Sequence, residues 1–540
     1  MLVSNIKENI KMKNSFKIIL ASGFLLLSLN SCKKEDLNLT PTNDVTADNV
    51  YATPVGYKNS LVKLYATYAL TSPSGSDNSD VGGLNAGFAD FFRLFWTSQE
   101  LVTDEAICAW GDVGVPELNF GTPSNDNQFL RGLYSRSLLQ ITFCNEFLRE
   151  STPEKLASRN ITGADATAIT RYRAEARFLR AFQYWVLLDA FGNPPFVTEE
   201  DNIGKVAPKQ IQRAALFSYV ESELKAIEGD LAEPRANDYG RADKGADWAL
   251  LARLYLNAQV YTGAAKYTEA ITYSSKVIAA SYQLKNNYLD LFKGDNDKNN
   301  AENILTINYD GVNGTNYGGT TFLINAAINA DMDPASFGVP NGGWGGNRTR
   351  QNLPALFPDA NGTLDKRGVF FGTKATIDDV GTFTDGLRVT KFTNRTTANT
   401  TPNSLNGVFS SMDFALFRLA EQYLIYGEAV ARGGSGGNAA LALTYVNALR
   451  TRAYGNTAGN VTAAALTTDF FLDERGRELY WEGHRRTDLV RFGKFAGSTY
   501  LWPYKGGAKT GAALPAYRNI FAIPTADLIA NPNLVQNPGY

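Results

Sequence analysis

The stretch WALLARLY, Trp248 to Tyr255, decides the fold class of this chain. Its large residues recur at three- and four-residue steps, which place them on one face of an α-helix. Ala252 stands between them at a small position, where a paired helix can approach closely. This arrangement is typical of the first helix of a tetratricopeptide unit, and a second helical pattern over residues 267–280 would complete the unit.

A related stretch, LFRLAEQY, lies at Leu416 to Tyr423, with Leu in place of Trp. It predicts a helix over Phe414 to Arg432, followed by a second one over Ala439 to Ala453. We therefore predict a mostly α-helical, tetratricopeptide-like scaffold. An unrelated helical bundle is the alternative, because only two units are clean and their spacing is irregular.

Helical periodicity also runs through other parts of the chain. The further predicted helices are Val50 to Tyr68, Phe129 to Glu150, Thr170 to Ala190, Ile211 to Ile227, Gly245 to Gln259 and Asp469 to Phe492. Between Asn300 and Ser411 the periodicity fades into glycine-rich loops and short apolar pieces. These patterns predict a domain over 47–540, with a helical scaffold over about 47–300 and 411–495. An irregular, loop-rich region with minor α/β content over about 300–410 is expected to bind the ligand.

Composition limits the classes of function. The chain has 540 residues and a net charge of −2, so it has no overall attraction to nucleic acid. His484 is its single histidine, which argues against histidine-rich metal sites. Cys108 and Cys144 are expected to be buried thiols, with a disulfide between them as the alternative.

The first residues have the pattern of an export signal. Several lysines precede an apolar run from Ile18 to Leu29, which is shorter than the ~20 residues that a membrane-spanning helix needs. The run ends in Leu29-Asn-Ser-Cys32, which resembles a bacterial lipobox. We predict a lipoprotein signal peptide over 1–31, lipidation of Cys32 and a lipid-anchored linker over 32–46. A plain signal with an incidental cysteine is the alternative.

Two groups of acidic residues raise the question of chemistry. Glu474, Glu478 and Glu482 lie at four-residue spacing among arginines, which favours structural ion pairs over a glycosidase pair. Asp295 and Asp297 form a loose calcium-like loop without EF-hand spacing, so a solvated loop is favoured over a metal site. No other cofactor is expected.

Four longer blocks carry a family resemblance. They are Arg173 to Pro195, Phe417 to Ala429, Glu474 to Phe495 and Phe521 to Tyr540. Together and in this order they resemble the SusD/RagB family of outer-membrane lipoproteins of Bacteroidetes. The resemblance implies a tetratricopeptide-like scaffold with a loop-rich second region. It also implies a non-enzymatic surface lipoprotein that caps a TonB-dependent, SusC-like transporter and captures glycans.

Within this family, the chain is most similar to the starch-binding member. The resemblance places the sugar-binding positions on Arg93, Trp110, Tyr317 and Trp344. The asparagine that the family would place near Asp112 is not cleanly present, so Asp112 is the candidate replacement. Trp344 lies in NGGWGGN, which has few apolar neighbours for a core role, whereas a core role for Trp110 is the open alternative.

These observations together predict an outer-membrane lipoprotein facing the cell exterior. It is expected to bind starch or malto-oligosaccharides and to deliver them to the SusC-like transporter. The alternatives are a different glycan in the same transport role, a surface glycoside hydrolase, and an interaction scaffold without ligand affinity.

Overall fold

Helices form most of the computed structural model, which describes residues 46–202, 204 and 206–540. The α-helices are α1 Ala47–Val50, α2 Pro54–Ala69, α3 Phe91–Trp96, α4 Val115–Asn119, α5 Gln128–Glu150, α6 Pro153–Ser158, α7 Gly163–Ala190, α8 Arg213–Ile227, α9 Lys244–Leu256, α10 Ala258–Thr262, α11 Tyr267–Ala279, α12 Gly319–Asn325, α13 Leu419–Ala431, α14 Ala439–Tyr454, α15 Thr468–Leu479, α16 Arg485–Arg491 and α17 Thr525–Ala530. The predicted signal peptide, Cys32 and the predicted linker up to residue 45 lie outside the described residues.

The strands of the described part are short and pair antiparallel in twos. They are β1 Ile107–Cys108, β2 Pro195–Phe196, β3 Lys209–Gln210, β4 Asn303–Ile307, β5 Asn347–Arg348, β6 Phe370–Phe371, β7 Arg388–Val389 and β8 Phe414–Arg418. The pairs are β1 with β5, β2 with β3, β4 with β8 and β6 with β7. Because each pair is small, the strands join distant loops and do not form a layer of their own.

Helix α7 shows how the apolar pattern determines burial. Every residue from Phe178 to Ala190 is buried, as two adjoining apolar faces predict. The helix stops at Gly192, whose φ of 73° is left-handed. The backbone N–H groups of Phe191 and Gly192 both donate to the Leu187 carbonyl, at 2.9 and 3.0 Å. A left-handed glycine just beyond the last turn is a typical helix stop, and the helix ends at Ala190, as predicted.

Two helix pairs form the tetratricopeptide-like part of the scaffold. Helix α11 packs on both α9 and α13, and α14 and α15 pack on α13. One buried cluster contains Ala420 and Leu424 of α13, Val446 and Leu449 of α14, and Phe471 of α15. Ala420 is small enough for these helices to approach closely. The prediction of a mostly helical fold is confirmed.

The prediction of a helix from Phe414 was wrong for its first five residues. Phe414–Arg418 is strand β8, and the helix begins only at Leu419. The cause is tertiary, because β8 pairs with β4 and Ile307 lies opposite Phe414 in the register. Leu416 is therefore a strand residue and not a helical repeat position.

The predicted helix over Asp469 to Phe492 was also wrong in its middle. It is divided into α15 and α16 at residues 480–484, where Trp481 and Gly483 have φ values of 62° and 81°. The Glu100 carboxylate accepts hydrogen bonds from the backbone of Gly483 at 2.6 Å and of His484 at 3.0 Å. A carboxylate from a distant segment thus replaces the helical carbonyl acceptors.

Trp248 is less deeply buried than the repeat pattern suggests. Its ring is only partly covered, and its indole N–H donates to the Glu228 carboxylate at 2.9 Å. The neighbouring repeat residues Leu251, Ala252 and Tyr255 are fully buried. They, more than Trp248, form the contact between the helices.

The three glutamates of the C-terminal block are buried in ion pairs, as predicted. Glu474 receives hydrogen bonds from Arg367 at 2.9 Å and from Arg450 at 2.6 Å. Glu478 receives them from Arg367 at 3.1 Å, from Arg418 at 2.8 Å and from Arg452. Both carboxylates are fully excluded from water, and the side chains of these arginine partners are at most 11% exposed.

Glu482 extends this group toward the irregular part of the chain. It receives hydrogen bonds from Arg418 and from the Lys391 ammonium, both at 2.6 Å. Since these carboxylates have cationic partners on several chain segments, their role is structural.

Cys108, Cys144 and His484, which the sequence analysis also singled out, lie in the interior. Cys108 and Cys144 are buried free thiols, so the prediction for them is confirmed. His484 is also buried, and its pKa is lowered well below the usual value by burial and by surrounding arginines such as Arg253. It is therefore a neutral structural residue at pH 7.

The chain divides into a unit ending at Val50 and a compact unit over Tyr51–Tyr540. Within residues 46–202, 204 and 206–540, no helix is long and apolar enough to span a membrane. The same residues contain no group of three or more His, Cys, Asp or Glu side chains that could hold a metal ion. The Asp295 carboxylate accepts a 2.8 Å hydrogen bond from the Thr397 backbone, and the preference for a solvated loop over calcium binding at Asp295 and Asp297 stays a prediction.

We expect Glu478→Gln to destabilise the protein by about 3–5 kcal/mol, because it removes one of the few carboxylates that neutralise the buried guanidiniums of Arg367, Arg418 and Arg452. Urea unfolding followed by circular dichroism measures this change. Arg477 of the same helix is less deeply buried, so Arg477→Gln serves as a matched control with a smaller effect. Equal stability of Glu478→Gln and the wild type would contradict the structural role.

We also expect this difference to depend on pH. Burial raises the pKa of Glu478, but the guanidiniums of Arg452, Arg418 and Arg367 outweigh burial and lower it from 4.5 to about 2. The charged form therefore stabilises the fold fully above about pH 4.5, and this contribution is lost as the pH falls toward 2. The stability difference between wild type and Glu478→Gln should shrink over that window in urea titrations, and a constant difference would contradict the assignment.

Candidate functional site

Helix α12 is the element around which the predicted site residues gather. Tyr317 lies two residues before its first residue, Gly319. At its other end, the Asn325 carbonyl accepts a 2.9 Å hydrogen bond from the backbone N–H of Trp344. Seven helical residues therefore position two of the predicted aromatic side chains.

The buried Asp90 carboxylate connects α12 to helix α3. It accepts hydrogen bonds at 2.9 Å from the backbone N–H groups of Arg93 and Gly319. The Asn316 side-chain amide donates to the same carboxylate. Because Asp90 caps α3 and also holds the start of α12, the segments of Arg93 and Tyr317 have a fixed relation.

Tyr317 and Trp344 lie side by side. Their ring centroids are 6.4 Å apart, and the ring planes are tilted by 45°. Phe409 supports Tyr317 from a third segment, with a centroid distance of 5.0 Å. Both rings remain half-buried, so part of each aromatic surface faces solvent.

Strand pairing brings Trp110 to the loop that carries Trp344. Trp110 follows β1, Gly346 precedes β5, and the Ala109 N–H donates to the Gly346 carbonyl at 2.9 Å. Gly346 has a φ of 107°, and a side chain there would collide with the indole nitrogen of Trp110. The site thus requires glycine at this position.

Trp110 also contacts the body of the protein. Its ring centroid is 6.1 Å from that of Phe322 on α12. The side chain is half-buried, so it has both a core contact and an accessible surface. Tyr317, Trp344 and Trp110 are therefore all attached to α12 or to its flanking backbone.

Arg93 is buried behind the aromatic residues and contributes little to their exposed surface. Only 5% of its surface is exposed, and its guanidinium lies 4.4 Å from the Phe322 ring centroid and 5.4 Å from that of Trp110. Burial lowers the pKa of Arg93 to about 10, although nearby acidic groups such as Asp112 oppose the shift. The side chain remains charged at pH 7, and it orients Trp110 through a cation–π contact.

Asp112 lies two residues beyond Trp110 on an exposed loop. Its carbonyl accepts a 3.0 Å hydrogen bond from the Val115 N–H, and its carboxylate acts on Arg93 electrostatically. The structure therefore places all five predicted residues in one region, with Arg93 largely enclosed and Asp112 at the rim.

Sequence reasoning missed two residues that hold this region together, Asp90 and Asn325. The Asn325 side chain accepts a 2.9 Å bond from the Gly343 N–H and donates at 3.1 Å to the Val408 carbonyl. Asp90 has a local signal, since aspartate just before a helical run is a typical N-cap. Asn325 has no comparable signal, because its partners are distant in sequence.

Comparison with known proteins gives a consistent result. Residues 364–540 match the model of the SusD family. The chain is 36% identical to the starch-binding protein SusD of Bacteroides thetaiotaomicron, over 97% of each chain. It is 27% identical to the SusD-like protein P25 of Formosa agariphila, over 71% of this chain and 76% of that protein.

Solved structures share the fold at lower identity. A SusD homolog from Bacteroides thetaiotaomicron has a TM-score of 0.72 and 19% identity, covering 92% of this chain and 99% of that one. Surface glycan-binding protein A of the same organism, in complex with laminarihexaose, has a TM-score of 0.67 and 19% identity, covering 89% and 98%. Together with the identity to SusD over nearly the whole length, these matches show that the chain belongs to the SusD family.

Proposed function

We propose that this SusD-family protein binds starch or malto-oligosaccharides with Trp110, Tyr317 and Trp344. The observation that carries the proposal is the convergence of the three aromatic residues on α12. The 36% identity to a starch-binding protein over 97% of the chain supports the same ligand class.

The geometry of the aromatic residues suits a sugar chain. Sugar rings have apolar C–H faces, which pack against aromatic rings, and polar edges, which need hydrogen-bond partners. The ring planes of Tyr317 and Trp344 are inclined by 45° to each other, so successive units of a curved glucan could each face one ring. Aromatic side chains lose little conformational entropy on binding, because each has only two rotatable angles.

Polar contacts would come from the edge of this surface. Asp112 is exposed beside Trp110 and can accept hydrogen bonds from sugar hydroxyl groups. Arg93 is better placed to fix the Trp110 ring and to donate only at its small exposed edge. We therefore assign the larger share of binding energy to the three aromatic residues.

A different glycan in the same role is the second candidate. A laminarin-binding SusD-like protein has the same fold, with a TM-score of 0.66 at 23% identity. Titration calorimetry of this protein with maltoheptaose and with laminarihexaose decides between the two glucans. Tighter binding of laminarihexaose would reject starch as the ligand.

A hydrolytic function has less support. Glu474, Glu478 and Glu482 are enclosed with arginines and lysine, so they are poorly placed to meet a glycosidic bond. Release of reducing sugar from starch by the purified protein would overturn this assignment.

We further propose that the protein acts at the outer membrane with a TonB-dependent, SusC-like transporter. The basic and apolar residues before Cys32 and the family membership support an exported, lipid-anchored protein facing the exterior. Co-purification of such a transporter with the full-length protein from the membrane tests the partnership. Retention of partner binding without glycan binding would favour the scaffold alternative.

Trp344→Ala should weaken maltoheptaose binding by about 30-fold or more, as loss of a central aromatic contact does. Calorimetry and migration through starch-containing gels measure the effect on protein that circular dichroism shows to be folded. Tyr239→Ala is a matched control, since Tyr239 is an exposed aromatic residue outside the proposed site. If Trp344→Ala binds like the wild type while the wild type binds maltoheptaose, the site is wrong.

Cys32→Ala should abolish incorporation of labelled palmitate and release the protein from the membrane fraction, because acyl chains would be its anchor. The matched control is Ser31→Ala, which keeps the cysteine. Equal membrane retention of wild type and Cys32→Ala would contradict lipidation.

A further inference from the structure

A fourth aromatic residue lies beside the loop that carries Trp344. Phe383 is 38% exposed, on the loop between β6 and β7. A Cβ atom placed on Gly345 would lie 3.1 Å from the Phe383 ring. Phe383 therefore adjoins the backbone immediately after Trp344, at the glycine run Gly345-Gly346.

The position of Phe383 is fixed by buried hydrogen bonds. The Asn329 amide donates to the Phe383 carbonyl at 2.8 Å. The buried guanidinium of Arg348 donates to the Val380 carbonyl at 2.8 Å and to the Asp385 carbonyl at 2.9 Å. The loop is thus held on both sides of Phe383.

Arg348 also connects this loop to the proposed site. Its third contact is a 3.1 Å hydrogen bond from Nη1 to the Gly346 carbonyl, in the loop that holds Trp344 and covers Trp110. One side chain therefore binds both loops and holds the Phe383 segment beside the segment that carries Trp344. Preorganisation of this kind lowers the entropy cost of binding.

The loop also has its own internal brace. The Asp385 carboxylate accepts backbone hydrogen bonds from Asp378 at 2.8 Å and Asp379 at 3.0 Å, and it pairs with Lys374. The pKa of Asp385 is lowered by these contacts, which outweigh its burial, so the brace is charged at pH 7. The Phe383 ring is therefore exposed on a loop whose backbone is held by several hydrogen bonds, and it is available to contact a ligand.

We propose that Phe383 is an additional saccharide-binding subsite, next to Trp344, that takes a further sugar unit of a longer glucan chain. This inference rests on the proposed function of the Trp110, Tyr317 and Trp344 site. It adds a chain-length preference, because a short oligosaccharide would fill only the three central aromatic residues. A longer one would also cover Phe383.

The test compares maltotriose and maltoheptaose binding to Phe383→Ala by calorimetry. We expect affinity for maltoheptaose to fall about tenfold, equivalent to one good aromatic contact, and affinity for maltotriose to stay unchanged. Phe371→Ala is the matched control. Phe371 is similarly exposed, at 40%, but it lies on β6 and its ring contacts the Arg388 guanidinium, 5.1 Å from the ring centroid.

The other outcomes distinguish failure of the Phe383 subsite from failure of the proposed function. Unchanged maltoheptaose binding in Phe383→Ala, with a clear loss in Trp344→Ala, would reject the subsite and leave the proposed function intact. Equal losses of affinity in Phe383→Ala and Phe371→Ala would show a general effect on the β6–β7 loop and would reject the subsite. A wild-type protein that binds neither oligosaccharide would reject the proposed function and the subsite together. Thermal unfolding of each variant confirms that the protein is folded.

Discussion

The buried hydrogen bonds of the Arg418 guanidinium are the interaction on which the rest of the structure depends. This guanidinium lies at the junction of β8 and α13, fully buried, and all of its N–H groups have acceptors. They donate to the Glu478 carboxylate and carbonyl, to both Glu482 oxygens and to Glu302, at 2.6–3.0 Å. A buried arginine is costly unless it is fully satisfied, so the elements that supply these acceptors must assemble together.

This contact also connects the scaffold to the proposed site. Glu302 lies beside β4, and the segment just before β8 reaches α12. The Thr320 hydroxyl donates to the Met412 carbonyl at 2.7 Å, and the Ser410 N–H donates to the Thr321 hydroxyl at 3.0 Å. The helix that positions Tyr317 and Trp344 is therefore attached to the chain segment that leads into Arg418. The short elements of the irregular region are therefore attached to a buried charged core.

Buried hydrogen bonds also fix the positions of the loops around the aromatic residues. Strands of two residues contribute little stability alone, but β1 and β5 bring Trp110 beside Gly346. Asp90, Asn325 and Arg348 then satisfy backbone groups that a loop would otherwise leave unpaired. Buried polar side chains thus perform in this region the role that helix–helix packing performs in the scaffold.

The sequence by itself determined the helices, because apolar periodicity is a local property. It identified α7 and its last residue, Ala190, and the ion-paired glutamates of the C-terminal block. Family resemblance also selected the aromatic residues that the structure brings together. Only the tertiary structure decided that Leu416 lies in a strand and that the last long helix is interrupted at Trp481. In both places a partner distant in sequence, β4 or Glu100, supplies hydrogen bonds that outweigh local helix propensity.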